Sequence, residues 1–255
     1  MNLLVSAFEE FPEVEISSFL PGTILVSAQK NNWQWEDGDI LVVAQKIVSK
    51  SENRLVNLED VTPGKKAIQY SKSTGKDPRL VELILQESKK VLRTRAGLII
   101  VQHKLGFICA NAGIDHSNVV GTNGISENWV LLLPLDPDLS SKIIRNYIKN
   151  ETGKDIGVII IDSHGRPWRK GVVGVTIGLS GVPAVLDRRG FQDRFGYKLK
   201  VTEIGAADEL AAAASILMGQ ADEGRPVVVI RGFPYQLEES CTSELLRNEN
   251  DDLFR

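Results

Sequence analysis

Apolar residues fall mostly into short unbroken runs along this chain. DILVVAQKIV at 39–48 is rich in β-branched residues and follows the turn signal Glu36-Asp37-Gly38, so it predicts a strand. GLIIVQ at 97–102 and GFICAN at 106–111, separated by His103-Lys104-Leu105, predict a hairpin. Further strands are expected at WVLLLP (129–134), IGVIIID (156–162), VGVTIG (173–178), KLKVT (198–202) and PVVVI (226–230). Unbroken runs suit a sheet covered on both faces.

Helical patterns separate these runs. Asp77-Pro78 offers an N-cap and a first-turn proline, with Leu80, Leu83, Ile84 and Val91 on one stripe. Asp136-Pro137 repeats the device, with Leu139, Ile143, Ile144, Tyr147 and Ile148 expected on the buried face. ADELAAAASILMG at 207–219 is rich in strong helix formers, carries Asp208 and Glu209 in its first turn and ends on Gly219. The polar stretch 114–128 and the Gly/Arg-rich stretch 163–196 read as long loops, where functional residues concentrate. LPGT at 20–23 reads as a Pro-Gly turn. The fold class is α/β of the mixed α+β kind, with more hairpins than a simple Rossmann sheet carries.

Composition narrows the partners. The 255 residues carry a formal net charge of −3, which leaves no cationic excess for a general affinity for nucleic acid. An anionic ligand must be held locally, by a few Lys or Arg side chains or by metal. Cys109 and Cys241 make no CxxC pair and no disulfide framework, which suits a reducing compartment. The opening residues carry acids where a signal peptide needs Lys or Arg, and no apolar run reaches the about 18 residues of a membrane span. A cytoplasmic enzyme is expected.

Three segments could carry chemistry. In IIIDSHGRPWRKG (159–171) a buried strand is expected to end at Asp162, placing its carboxylate and the Ser163 hydroxyl where a hard divalent cation could bind. Arg166 and Arg169 offer forked donors for a phosphate or carboxylate. A strand-ending Asp capping a turn would look the same. CANAGIDHSNV (109–119) brings Asp115 and Asn118 close in sequence, as metal or nucleotide ligands or as an Asx-rich turn. MGQADEGRP (218–226) offers the Gln220 amide between two glycines, or is a solvated connection. Lys50, beyond a strand, could neutralise phosphate. The chain has no GxxxxGK[ST] P-loop, GxGxxG or HExxH motif, and His103, His116 and His164 lie far apart. Oxygen donors point to Mg²⁺ or Mn²⁺ rather than to zinc.

Taken together, the sequence resembles the coenzyme F420 gamma-glutamyl ligase family. The resemblance runs through LPGT (20–23), DGDILVVAQKIVSK (37–50), CANAGIDHSNV (109–119), LLLPLDPD (131–138), 157–181, 187–232 and a tail near 244–254. It implies gamma-linked addition of L-glutamate to the coenzyme F420 precursor, F420-0, driven by GTP through an acyl phosphate. It also implies a single module over 1–255 of two intertwined subdomains, a homodimer, two divalent ions and a monovalent cation such as K⁺.

Carried over by position, Asp115, Asp162, Ser163 and Gln220 match metal ligands, with Ser163 standing where relatives often have Thr. Leu20, Pro21, Gly22, Thr23, Gln45, Lys46, Lys50 and Asn118 match nucleotide-contacting positions. So do Met218, Gly219, Ala221, Asp222, Glu223, Gly224 and Arg225. Gln45-Lys46 departs from the Ser/Thr pair of some relatives, and His164 carries no implied role. Two other classes fit parts of the pattern: a two-metal phosphohydrolase acting on a nucleotide or phosphoester, and a non-catalytic nucleotide or deazaflavin sensor. Tryptophans at 33, 35 and 129 flank apolar strands, as interface aromatics do, and would equally suit the core of one subunit.

Overall fold

A computed structural model describes residues 2–121 and 127–253. Part of the expected loop 114–128 and the end of the matched tail therefore lie outside the described residues. In chain order the strands are β1 (Leu4–Ala7), β2 (Ile40–Ala44), β3 (Leu55–Asn57), β4 (Ser88–Arg95), β5 (Leu98–His103) and β6 (Ile108–Ala110). They continue with β7 (Trp129–Leu131), β8 (Gly157–Gly165), β9 (Val172–Ser180), β10 (Leu186–Asp187), β11 (Glu203–Ile204) and β12 (Val227–Arg231). The α-helices are α1 (Leu20–Lys30), α2 (Gln45–Ser51), α3 (Lys65–Thr74), α4 (Pro78–Gln86), α5 (Pro137–Thr152) and α6 (Ala206–Met218). Among the described residues no helix is long and apolar enough to cross a membrane.

The main sheet has the order β1-β12-β2-β8-β9. β2 and β8 run parallel, and every other neighbouring pair is antiparallel. Its centre explains the unbroken apolar runs. In β2, Leu41 and Val43 enter one core while Ile40 and Val42 enter another, and β8 and β12 divide their residues in the same way. Helix α5 contributes Ile144 and Ile148 to the first core, and α6 contributes Leu210, Ala211 and Ala214 to the second. A strand covered on both faces needs apolar residues at every position. A three-stranded sheet, β4-β5-β6, includes the expected hairpin, and β3 pairs with β7. The arrangement is mixed α+β, as the sequence suggests.

β9 shows how the two helical layers approach so closely. Ile160 and Ile161 pair with Gly178 and Thr176, so β9 bulges by one residue there. The bulge reverses the facing of residues on either side. A Cβ on Gly174 would meet Ala211 of α6, whereas one on Gly178 would overlap the backbone of Pro137, the first residue of α5.

Several expectations need correction. The run 39–48 is a strand only to Ala44; Gln45 to Ser51 is helix, with Gln45, Val48 and Ser49 turned inward at helical spacing. LPGT is not a turn but the first turn of α1, because Pro21 is tolerated there and Leu20, Ile24, Ser27 and Ala28 form one buried face. Stretch 163–196 is not one loop, since its first residues finish β8 and 172–180 form β9. KLKVT is not a strand; its residues are largely exposed, with an isolated bridge from Gln192 to Lys198 and scattered backbone hydrogen bonds between Leu199 or Thr202 and residues 188–191. Val91 lies in β4 rather than on the α4 stripe. Leu139 and Ile143 are exposed, although their spacing put them on the buried face of α5. Trp35 is buried and Trp33 packs against the same core, so these two tryptophans belong to the subunit interior.

Candidate active site

Parallel pairing of β2 with β8 sets Ala44 opposite Ile161, so both strands reach the same end of the sheet together. At that end β2 gives way to α2, and β8 continues with Asp162 and Ser163. The Ala44 N–H donates to the Pro226 carbonyl at 2.8 Å, tying in the segment that joins α6 to β12. Three connections thus converge beyond the carboxyl ends of parallel strands, where open α/β sheets commonly form ligand crevices. They enclose a cavity of about 380 Å³, completed by residues 11–14 and Asn118.

Asp162 does not end its strand, as the sequence suggested. β8 runs on to Gly165 because Ser163, His164 and Gly165 keep pairing with β9. The burial changes, not the strand: Ile161 is buried, whereas Asp162 is half-buried and Ser163 exposed. Both line the cavity. The Ser163 hydroxyl donates to Gln220 Oε1 at 2.8 Å, which brings the β8 oxygens and the 218–226 segment to one point. Asp162 Oδ2 stands 3.0 Å from His164 Nε2, a neighbour that no local motif marks.

The 218–226 segment follows from the end of α6. Gly219 caps the helix with φ +71°, and a Cβ there would overlap the Glu223 carboxylate. That carboxylate folds back to accept the Ala221 N–H at 2.8 Å, which holds its pKa below the ordinary value. Asn118 donates to the Ala221 carbonyl at 3.2 Å. Met218, Ala221, Asp222, Gly224 and Arg225 line the cavity with them, and Arg225 also meets Glu9 at 2.9 Å.

Two lysines of α2 supply positive charge. Lys46 Nζ lies 3.1 Å from Asp115 Oδ2 and donates to Ser117 Oγ at 2.7 Å. Lys50 pairs with Glu13, a cavity residue from an N-terminal segment that carries no motif. Gln45, buried beneath them, accepts from the Ser49 hydroxyl at 3.0 Å, and its own Nε2 has no hydrogen-bond partner. Cys109 is no nucleophile: burial, reinforced by the Asp162 charge, pushes its thiol up to about 12.

The residues expected to act together divide into four groups. Asp162, Ser163 and Gln220 meet at the cavity, as do Gln45, Lys46, Lys50, Asn118 and the positions of 218–225. Asp115 reaches this group through its ion pair with Lys46 and is not itself in the cavity wall. Leu20, Pro21, Gly22 and Thr23 lie outside the wall, in α1, with Gly22 packed under Phe19. Arg166 and Arg169 stand exposed in the turn between β8 and β9. Among the described residues no group of three or more His, Cys, Asp or Glu side chains is arranged to hold a metal.

The family model described as F420-0:Gamma-glutamyl ligase matches residues 10–232. The coenzyme F420:L-glutamate ligase of Methanocaldococcus jannaschii is 46% identical over 220 residues, 86% of each chain. That of Methanococcus maripaludis is 44% identical over 252 residues, covering 99% of this chain and 94% of the relative. That of Methanothermobacter thermautotrophicus is 40% identical over 257 residues, the full length of both. The match spans the strands, the cavity wall and the connections between them, and the chain belongs to the F420-0:gamma-glutamyl ligase family.

Proposed function

We propose that this chain is a coenzyme F420:L-glutamate ligase that joins the glutamate amine to a carboxylate of the deazaflavin precursor in coenzyme F420 biosynthesis. The single observation carrying this reading is the meeting of Asp162, Ser163 and Gln220 oxygens with the Lys46 and Lys50 ammonium groups at one cavity. Amide formation from a carboxylate in water needs an activated acyl group. In the proposed sequence an acceptor carboxylate oxygen attacks the γ-phosphorus of GTP, and GDP leaves. The deprotonated glutamate amine then attacks the acyl carbon, and inorganic phosphate leaves with the former carboxylate oxygen. No protein nucleophile is needed.

The donor set fits Mg²⁺ or Mn²⁺. One carboxylate with neutral hydroxyl and amide oxygens leaves room for nucleotide phosphates, the usual way such ions are shared between protein and substrate. Asp162, Ser163 and Gln220 would hold it, and Asp115 would reach a second ion by releasing Lys46. A bound divalent ion offsets the charge of the transferring phosphoryl group. Lys46 and Lys50 would hold phosphate oxygens, and the 218–225 segment would flank the nucleotide. A monovalent cation such as K⁺ belongs to the same reading, as does a homodimer.

The test is mass spectrometry after incubating the protein with the deazaflavin precursor, glutamate, GTP and Mn²⁺. A product heavier by a glutamyl residue is expected, and GTP hydrolysis without it would favour a phosphohydrolase instead. At limiting metal, Asp162→Asn should lower turnover by about 100-fold, in the range lost when a charged group stabilising the transition state is removed. Turnover near wild type would remove Asp162 from the metal site.

A further inference from the structure

Asp162 and His164 are two residues apart in β8, so their side chains stand on one face of the strand. Ile160 shares that face and belongs to the first core. The face therefore leaves the core at Asp162 and passes into the cavity wall. Asp162 Oδ2 and His164 Nε2 are 3.0 Å apart, and each side chain is 12% exposed. An ionised carboxylate can only accept, so the imidazole carries hydrogen on Nε2 and donates it. Phe107, just before β6, packs against the imidazole at 5.3 Å between centroids and a tilt of 53°. The Phe107 ring is itself stacked on the buried His103. The imidazole is thus held by packing as well as by its hydrogen bond.

Only one carboxylate oxygen is taken up in this way. Among the described residues, Oδ1 of Asp162 accepts no hydrogen bond. The adjacent Ser163 hydroxyl turns to Gln220 instead. One oxygen of Asp162 is engaged by protein, and the other is left for a ligand.

We infer that His164 is a positioning residue for the metal: it holds Oδ2 and leaves Oδ1 as the single ligating oxygen, which favours Mg²⁺ or Mn²⁺ over Ca²⁺. The inference rests on the metal site of the ligase reading and extends it to the choice of ion. Ca²⁺ is larger, takes about six to eight oxygens and readily draws both oxygens of one carboxylate. Mg²⁺ demands a near-ideal octahedron, and Mn²⁺ suits the same oxygen set. Both oxygens of one carboxylate span too narrow an angle for that octahedron, so a carboxylate with one free oxygen costs these ions nothing and costs Ca²⁺ a ligand.

Mn²⁺ binding to the full chain should be measured by electron paramagnetic resonance, with and without a non-hydrolysable GTP analogue, and Ca²⁺ binding by competition against it. His164→Phe keeps a ring against Phe107 but removes the donor. It should weaken Mn²⁺ binding about tenfold, the low end of what such orienting partners contribute, while Ca²⁺ affinity holds or rises because Oδ2 is released. His164→Gln, whose amide nitrogen reaches the position of Nε2, should restore most of the wild-type preference. An unchanged ratio of Mn²⁺ to Ca²⁺ affinity in His164→Phe would overturn the inference. So would a Gln variant that binds like the Phe variant, or wild-type protein with no saturable Mn²⁺ site. Nitrogen coupling from a directly bound imidazole in pulsed spectra of the wild type would also overturn it, by making His164 a ligand. The expected shift in selectivity without any glutamyl product would keep His164 in this role and remove the ligase reading. A glutamyl product with unchanged selectivity in His164→Phe would do the reverse.

Discussion

His103 is a structural histidine, packed inside the subunit. It lies in β5, buried, with its ring stacked on Phe107 at 5.2 Å between centroids. Its Nδ1 accepts the Leu105 N–H at 3.0 Å, so the neutral ring carries its proton on Nε2, which has no hydrogen-bond partner. Burial lowers its pKa from 6.5 to about 4, although Glu87 pulls the other way. Unfolded protein takes up this proton near 6.5 and folded protein only near 4, so the unfolded state gains protons as pH falls between them. The contribution is complete above 6.5 and shrinks on acidification, by about 2 kcal/mol between pH 7 and pH 5. Urea unfolding of wild type and His103→Asn at those two pH values isolates the term: Asn keeps an acceptor but cannot titrate. An equal loss in both proteins would show that His103 plays no part. In the sequence, Asp162, Ser163 and Gln220 were legible as oxygen donors, whereas Glu13 and the His164–Asp162 contact were not, since nothing local marks either.

At the scale of elements, legibility depended on what a pattern can encode. Asp77 and Asp136 each accept a first-turn N–H of the helix they begin, as their Asp-Pro sequences implied. The end of β2 was misjudged because the apolar run passes unbroken into α2, and an apolar run alone does not separate strand from buried helix. The β9 bulge was invisible for a different reason: it depends on two helices pressing from opposite faces. Gly178 carries that constraint. A methyl group there would strike the Pro137 backbone, which cannot rotate aside, so Gly178→Ala should cost about 3 kcal/mol or more. Gly165→Ala, in the same hairpin but with open space around its Cβ position, should be near neutral. Thermal unfolding of the two variants makes the comparison, and similar melting temperatures would mean that α5 can slide away from the bulge.

For the whole molecule, the most informative mismatch is on α5. Hydrophobic spacing placed Leu139 and Ile143 on a buried face, yet each is 52% exposed, and Leu135 lies one turn before them, exposed as well. Periodicity reports that a helix face wants to leave water; it does not report which chain covers it. The neighbouring α1 also exposes Val26, and Phe19 at its N-cap packs edge-on against Tyr147 of α5. Exposed apolar surface that gathers into a patch marks interaction sites. A second copy of the chain, related by a two-fold axis, would bury the same stripe twice. Trp33 and Trp35 serve the subunit core, which leaves only Trp129 of the tryptophans named for such a dimer, so the α5 stripe now carries it. Light scattering at working concentration should give about twice the 28.1 kDa chain mass, and replacing Leu139 and Ile143 together with Glu should shift it to the single-chain value. Both positions are exposed in the isolated subunit, so the double variant should keep its fold, which circular dichroism can check. A folded variant that still sediments as a dimer would move the interface away from α5, and an active wild-type species at 28.1 kDa would remove the dimer altogether.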